Sequence, residues 1–149
     1  MKFGTFVAFS VVLAMAAPAA FAQTADPIAA RQALMKQNGK STKAAAAFIK
    51  GEVPYDAVAA LAIFKDMNDV AMKFGNYFPV NSQTGGDTEA SPAIWAKPAE
   101  FKAALVKFQG DTKTAMAAKP DNIDAFKTQF GAVTANCRSC HESFRVKKN

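Results

Sequence analysis

In the stretch DNIDAFKTQFGAVTANCRSCHESFR, residues 121–145, apolar or sulfur side chains fall at Ile123, Phe126, Phe130, Val133, Cys137, Cys140 and Phe144. The steps alternate three and four without a break, which is the a/d-type seam of a helix that turns one face into a core. Asp121 stands where such a helix opens. Asp124 puts negative charge in the first turn, where the helix dipole favours it. Both cysteines of the chain lie on the core-facing seam, and its single histidine, His141, follows at once.

Three more helices are expected upstream. The first opens at Asp26-Pro27, a capping carboxylate followed by proline at the first helical position, and runs to about Lys50, where Gly51 stops it. The second runs from near Asp56 to about Phe74, with Gly75 as its stop. The stretch NYFPVNSQTGGDTEASPAIWA, residues 76–96, then reads as a long irregular connection rich in Gly, Pro, Ser and Thr. The third helix starts around Pro98 and ends before AKPD, presenting Phe101, Leu105, Phe108, Thr112 and Ala115 at four- and three-residue steps. No stretch alternates as a strand would. Two short links and one long one predict an all-α, antiparallel, up-down-up-down four-helix bundle, with the long loop between helices two and three crossing one end.

Cys137-Arg138-Ser139-Cys140-His141 is a C-x-x-C-H pattern, the signature of covalent c-type haem attachment. On a helix, positions i and i+3 put two thiols on one face, spaced for the two vinyl groups of one haem. His141 lies about one turn beyond Cys137, where imidazole supplies the proximal axial donor. Three other uses of these residues fit less well. A disulfide at helical i,i+3 spacing is strained and closes too short a loop to stabilise much. A redox dithiol wants its reactive cysteine at a helix N-terminus, whereas these sit near a C-terminus. A zinc site wants four ligands, and the motif offers three.

The opposite face of the iron needs a different donor, because there is no second histidine. The remaining soft donors are Met35, Met67, Met72 and Met116. A methionine at helical spacing ordinarily fills core. Met35 differs in place: antiparallel pairing brings the start of the first helix beside the end of the fourth, where the haem would hang. Arg31, one turn before it, is a cation near a helix start, where the dipole is mildly unfavourable. Either solvent or a haem propionate would satisfy it.

Residues 1–22 read as a cleaved secretory leader: Lys2, an apolar run, and the small-residue site AFA at Ala20–Ala22. The expected mature chain, 23–149, is one domain of 127 residues with a formal charge of +5, from 17 Lys and Arg against 12 Asp and Glu. Its lysines are scattered and not interleaved with aromatics, which argues against a nucleic-acid binder. No later segment is long and apolar enough for a membrane span, so no membrane insertion of the mature chain is expected.

The chain resembles the class II c-type cytochromes, the family that includes cytochrome c′. The resemblance covers essentially the whole mature chain and rests on ARQALMKQNG (30–39), KGEVPYDA (50–57), GGDTEASPAIW (85–95) and GAVTANCRSCHESFRVKK (131–148). It implies one covalently bound haem c, a periplasmic location, Arg31 near the haem propionates, and Arg145 by the proximal haem face. Four residues after that first arginine, cytochrome c′ proper typically carries an apolar residue that leaves the iron five-coordinate. Low-spin members carry a methionine as sixth ligand, and here the residue is Met35. The expected function is therefore electron transfer with His141/Met35 ligation to redox partner proteins with an acidic docking face, steered by lysines including Lys147 and Lys148. The rival is a five-coordinate protein that binds NO or CO. A haem enzyme is not expected, since no distal histidine or acid/base pair is offered. The family includes monomers and homodimers, and Phe48, Leu61 and Ile63 would serve either a core or a dimer face.

Overall fold

The computed structural model describes residues 26–146; the expected leader (1–22), Lys147 and Lys148 lie outside the described residues. Five α-helices follow one another: α1 (Pro27–Ile49), α2 (Ala57–Phe74), a single turn α3 (Ala93–Ala96), α4 (Pro98–Ala118) and α5 (Ile123–Phe144). Each long helix starts and stops for a local reason. Asp26 accepts a hydrogen bond from the Ile28 amide at 2.9 Å and Pro27 occupies the first turn. Asp56 caps α2 by accepting from the Ala59 amide at 2.7 Å. Asn122, not the expected Asp121, caps α5, its side-chain oxygen accepting from the Asp124 and Ala125 amides. Both residues carry a capping acceptor, so the choice depends on the turn leaving α4, where Lys119 is left-handed with φ 43°. Gly51, at φ 71°, makes the corresponding turn after α1.

The four long helices form the antiparallel bundle, each packing on the next in sequence. Phe64, Phe126, Met67, Val70 and Val133 are at most 1 % exposed and fill its centre. Ala45, Ala60 and Ala115 are fully buried and let the helices approach closely. The Phe126 ring meets Phe48, Tyr55, Phe64 and Phe130 at centroid distances of 5.2–6.0 Å. The Tyr55 hydroxyl donates to the Pro120 carbonyl at 2.7 Å and ties the two short links together. Ile63 is buried and Phe48 packs, partly buried, against the same core. Closing contacts between α1 and α5 are sparse. The bundle is therefore open along one seam.

The long connection is more ordered than its composition suggests. It holds 3-10 turns at Gly75–Tyr77 and Val80–Ser82 as well as α3. A Cβ on Gly75 would meet Leu105 Cδ1 at 2.9 Å, so any larger residue there would have to displace the end of the Leu105 side chain. The loop's far end is pinned to the end of α5. The Ser91 amide donates to the Phe144 carbonyl and the Val146 amide to the Glu89 carbonyl, both at 2.9 Å, around an isolated antiparallel bridge between Ala90 and Arg145.

Candidate haem site

The sparse seam between α1 and α5 opens into a cleft of about 870 Å³, within the roughly 300–1,000 Å³ of cofactor and ligand sites. All six residues singled out from the sequence line it: Arg31 and Met35 from α1, Cys137, Cys140 and His141 from α5, and Arg145 just beyond. The seam that predicts α5 explains this placement. Phe126, Phe130 and Val133 are buried in the bundle, and further along the same face the half-buried cysteines reach the place where α1 has drawn away.

The thiols suit attachment better than redox chemistry. Both are free, and burial raises the pKa of each; for Cys140 the neighbouring Cys137 adds to the rise. A redox dithiol needs the opposite shift. Among the described residues no three His, Cys, Asp or Glu side chains converge as metal ligands would. The His141 pKa is lowered, chiefly by burial and then by the Arg145 charge, with Glu89 opposing. The shift favours the neutral imidazole, the form that can donate a lone pair to iron. Of the four methionines outside the leader, Met67 is 1 % exposed in the core, Met116 packs against the same cluster and Met72 is on the surface. Only Met35 lines the cleft.

The remaining walls were not legible as a site. Phe74 and Phe78 come from the end of α2 and the loop, Phe101 and Leu105 from α4. They belong with Ile94 and Phe144 to a second apolar cluster that also contacts Cys140. Phe101 meets Phe78 at 4.9 Å and Phe144 at 5.3 Å between ring centroids. An apolar wall facing two thiols, an imidazole and a thioether is a donor set and surround that fit a haem. Two asparagines complete it. Asn136, 5 % exposed, donates to the Asp111 carboxylate at 2.7 Å and clamps α4 to α5 one residue before Cys137. Asn38, 8 % exposed, leaves its Oδ1 without a partner among the described residues.

Arg31 is 4 % exposed, so solvent does not satisfy it, and its guanidinium is largely taken up by the long loop. Its Nη1 donates to the Tyr77 carbonyl at 3.1 Å and Ser82 Oγ at 2.9 Å, and its Nη2 to the Ser82 carbonyl at 2.8 Å and Thr88 Oγ1 at 2.6 Å. The guanidinium also lies 5.0 Å from the Phe78 ring centroid and 5.9 Å from that of Trp95. Four of the five guanidinium N–H groups thus hold the long loop on α1, leaving at most Nε–H for a propionate. Arg145 donates from Nε to the Glu89 carboxylate, fastening the other end of the same loop.

Comparison with known proteins identifies the family. The family model for cytochrome c′ matches residues 26–145. The chain belongs to the cytochrome c′ family. Cytochrome c′ of Rhodopseudomonas palustris is 39% identical over 130 residues, covering 87% of this chain and 88% of its own. Cytochrome c-556 of Agrobacterium fabrum is 36% identical over 148 residues, 99% of either chain. The solved structure of the R. palustris cytochrome c′ superposes with a TM-score of 0.79 at 37% identity, over 83% of this chain and 98% of that one. The cofactor expected from the motif is thereby established as the family's: one covalently attached haem c. Relatives under both the c′ and the c-556 names match the chain.

Proposed function

We propose that the protein is a periplasmic electron carrier whose haem c, joined to Cys137 and Cys140, is ligated by His141 and Met35. The bound iron would supply a one-electron Fe(III)/Fe(II) couple, with the thioether raising its potential relative to two nitrogen donors. The observation that carries the reading is that Met35, alone among the described methionines, lines the cleft that holds both thiols and the imidazole. A residue that fills the sixth position in both oxidation states keeps reorganisation small and shuts out exogenous ligands. Phe74, Phe78 and Phe101 give the cleft an apolar wall that would limit water at a bound haem, and Arg31 holds the loop that carries Phe78. No catalytic residue is assigned, and the role is that of a carrier, not an enzyme.

Export rests on residues 1–22, and among the described residues no helix is long and apolar enough to cross a membrane. A partner with an acidic face suits the formal charge of +6 on the whole chain. The second reading, a five-coordinate haem that binds NO or CO, is favoured by the 39% identity to a cytochrome c′. Optical titration of the reduced holoprotein with CO separates the two. The carrier reading expects little uptake and a reversible one-electron potentiometric wave; rapid, complete CO binding contradicts it.

A further inference from the structure

Helix α1 carries one arginine, three lysines and no Asp or Glu over its 23 residues. Lys36, Lys40 and Lys43 are spaced four and three apart, so at about 100° per residue they form one stripe. All three are exposed. The same geometry sets the stripe about a quarter-turn round the helix from Met35, and Lys36 and Gly39 themselves line the cleft. The stripe therefore runs along the cleft's lip, beside the seam between α1 and α5 where a haem held by Cys137 and Cys140 would lie.

Helix α1 differs from the other long helices in having no carboxylate of its own; Lys65, Lys102 and Lys113 also lack an ion pair among the described residues, but they lie on helices that carry Asp or Glu. Lys73 pairs with Asp69 at 2.7 Å, Lys107 with Asp111 at 2.6 Å, Lys97 with Glu100 at 3.3 Å and Lys127 with Asp124 at 3.4 Å, all at i,i+3 or i,i+4. None of the three stripe lysines lies within ion-pair distance of a carboxylate among the described residues. Like charges at these spacings destabilise a helix by a few tenths of a kcal/mol per pair. Nothing within α1 offsets that cost. The carboxylates on the cleft's rim, Asp87 and Glu89, belong to the loop, which meets α1 near its start: Gln32 donates to the Gly86 and Asp87 carbonyls. The exposed apolar side chains Val58, Met72 and Val106 are on other helices and leave the stripe purely cationic.

We propose that Lys36, Lys40 and Lys43 form the docking face for a redox-partner protein with an acidic surface. The inference rests on the electron-carrier reading. The stripe supplies a local positive field at the cleft mouth that steers an acidic face toward the shortest path for the electron. It is short-ranged at physiological salt, where the Debye length is about 8 Å, and long-ranged near 0.01 M, where it is about 30 Å.

The test uses holoprotein in three forms: wild type, the triple variant Lys36→Gln/Lys40→Gln/Lys43→Gln, and the equally charged control Lys65→Gln/Lys102→Gln/Lys113→Gln. Two probes are read on each: oxidation of reduced protein by ferricyanide, and amide shift changes on adding poly-L-glutamate. At about 0.01 M ionic strength the stripe variant should lose about tenfold in ferricyanide rate, and the loss should vanish as salt is raised. A cationic cobalt(III) phenanthroline oxidant should react faster with it than with wild type. Poly-L-glutamate should shift amides of residues 36–43 in wild type and in the control, but not in the stripe variant. Equal rate losses in the two variants, or a footprint centred elsewhere, overturn the proposal. Failure of the carrier reading appears separately, as CO uptake by the wild-type sample.

Discussion

Replacing Arg31 by methionine removes the guanidinium while keeping much of the apolar stem. In the folded protein it donates four hydrogen bonds, two of them to the Tyr77 and Ser82 carbonyls. The two hydroxyl acceptors have other partners, since Ser82 Oγ donates to the Pro79 carbonyl and Thr88 Oγ1 accepts from the Ala90 amide. The loss therefore falls chiefly on the two carbonyls. Each costs about 1–3 kcal/mol when left unpaired and buried, and access to water from the adjacent cleft places the total near 3 kcal/mol. For a domain of this size that lowers the melting temperature by on the order of 10 °C. Denaturant unfolding of the holoprotein measures the change, and amide hydrogen exchange over residues 77–88 should accelerate with it. Lysine at the same position, a point charge without the planar fork, should recover less than half of the loss. If Arg31 instead served mainly a propionate, Arg31→Met would move the reduction potential and leave stability within 1 kcal/mol of wild type. That result would refute the loop-clamp argument.

Two further substitutions test the packing and the electrostatics. Phe126→Ala empties the fully buried centre of an aromatic group of five rings; it should cost about 3–5 kcal/mol by denaturant unfolding. The Asp111 carboxyl is held below the ordinary carboxylate range by hydrogen bonds from Asn136 and then Lys107, against a smaller opposing effect of burial. Its stabilisation is complete above the unfolded value near pH 4 and is lost as pH falls through the lower folded value, because the unfolded chain takes up the proton first. Asp111→Asn keeps an acceptor for Asn136 but removes the titration. Stability measured from pH 6 to pH 2 should fall less steeply below about pH 4 in that variant than in wild type.

These cases show where sequence periodicity carries information and where it ends. The α5 seam is local: seven positions at alternating steps define one face, and the same face passes from bundle core at Val133 to cleft at Cys137 and Cys140. Helix ends were legible to within a residue or two, since Pro27, Pro98, Gly51 and Gly75 act on their own neighbours. Arg31 was legible only as an oddity. Its partners lie 46–57 residues downstream in a segment without periodicity, so no reading of helical spacing could bring them to it. The aromatic wall was hidden for a related reason: Phe74, Phe78, Phe101 and Phe144 come from separate elements, and nothing but the fold brings them together. Met35 was legible because antiparallel pairing alone sets the start of one helix beside the end of the other.

The central claim is that Met35 occupies the sixth coordination position, and the optical spectrum of ferric holoprotein compared with that of Met35→Ala tests it most directly. Wild type should be low-spin with a weak red-end charge-transfer band from iron–sulfur bonding, and the variant should lose that band, become high-spin and take up CO rapidly when reduced. A wild-type spectrum that is already high-spin, or one left unchanged by Met35→Ala, would contradict the account.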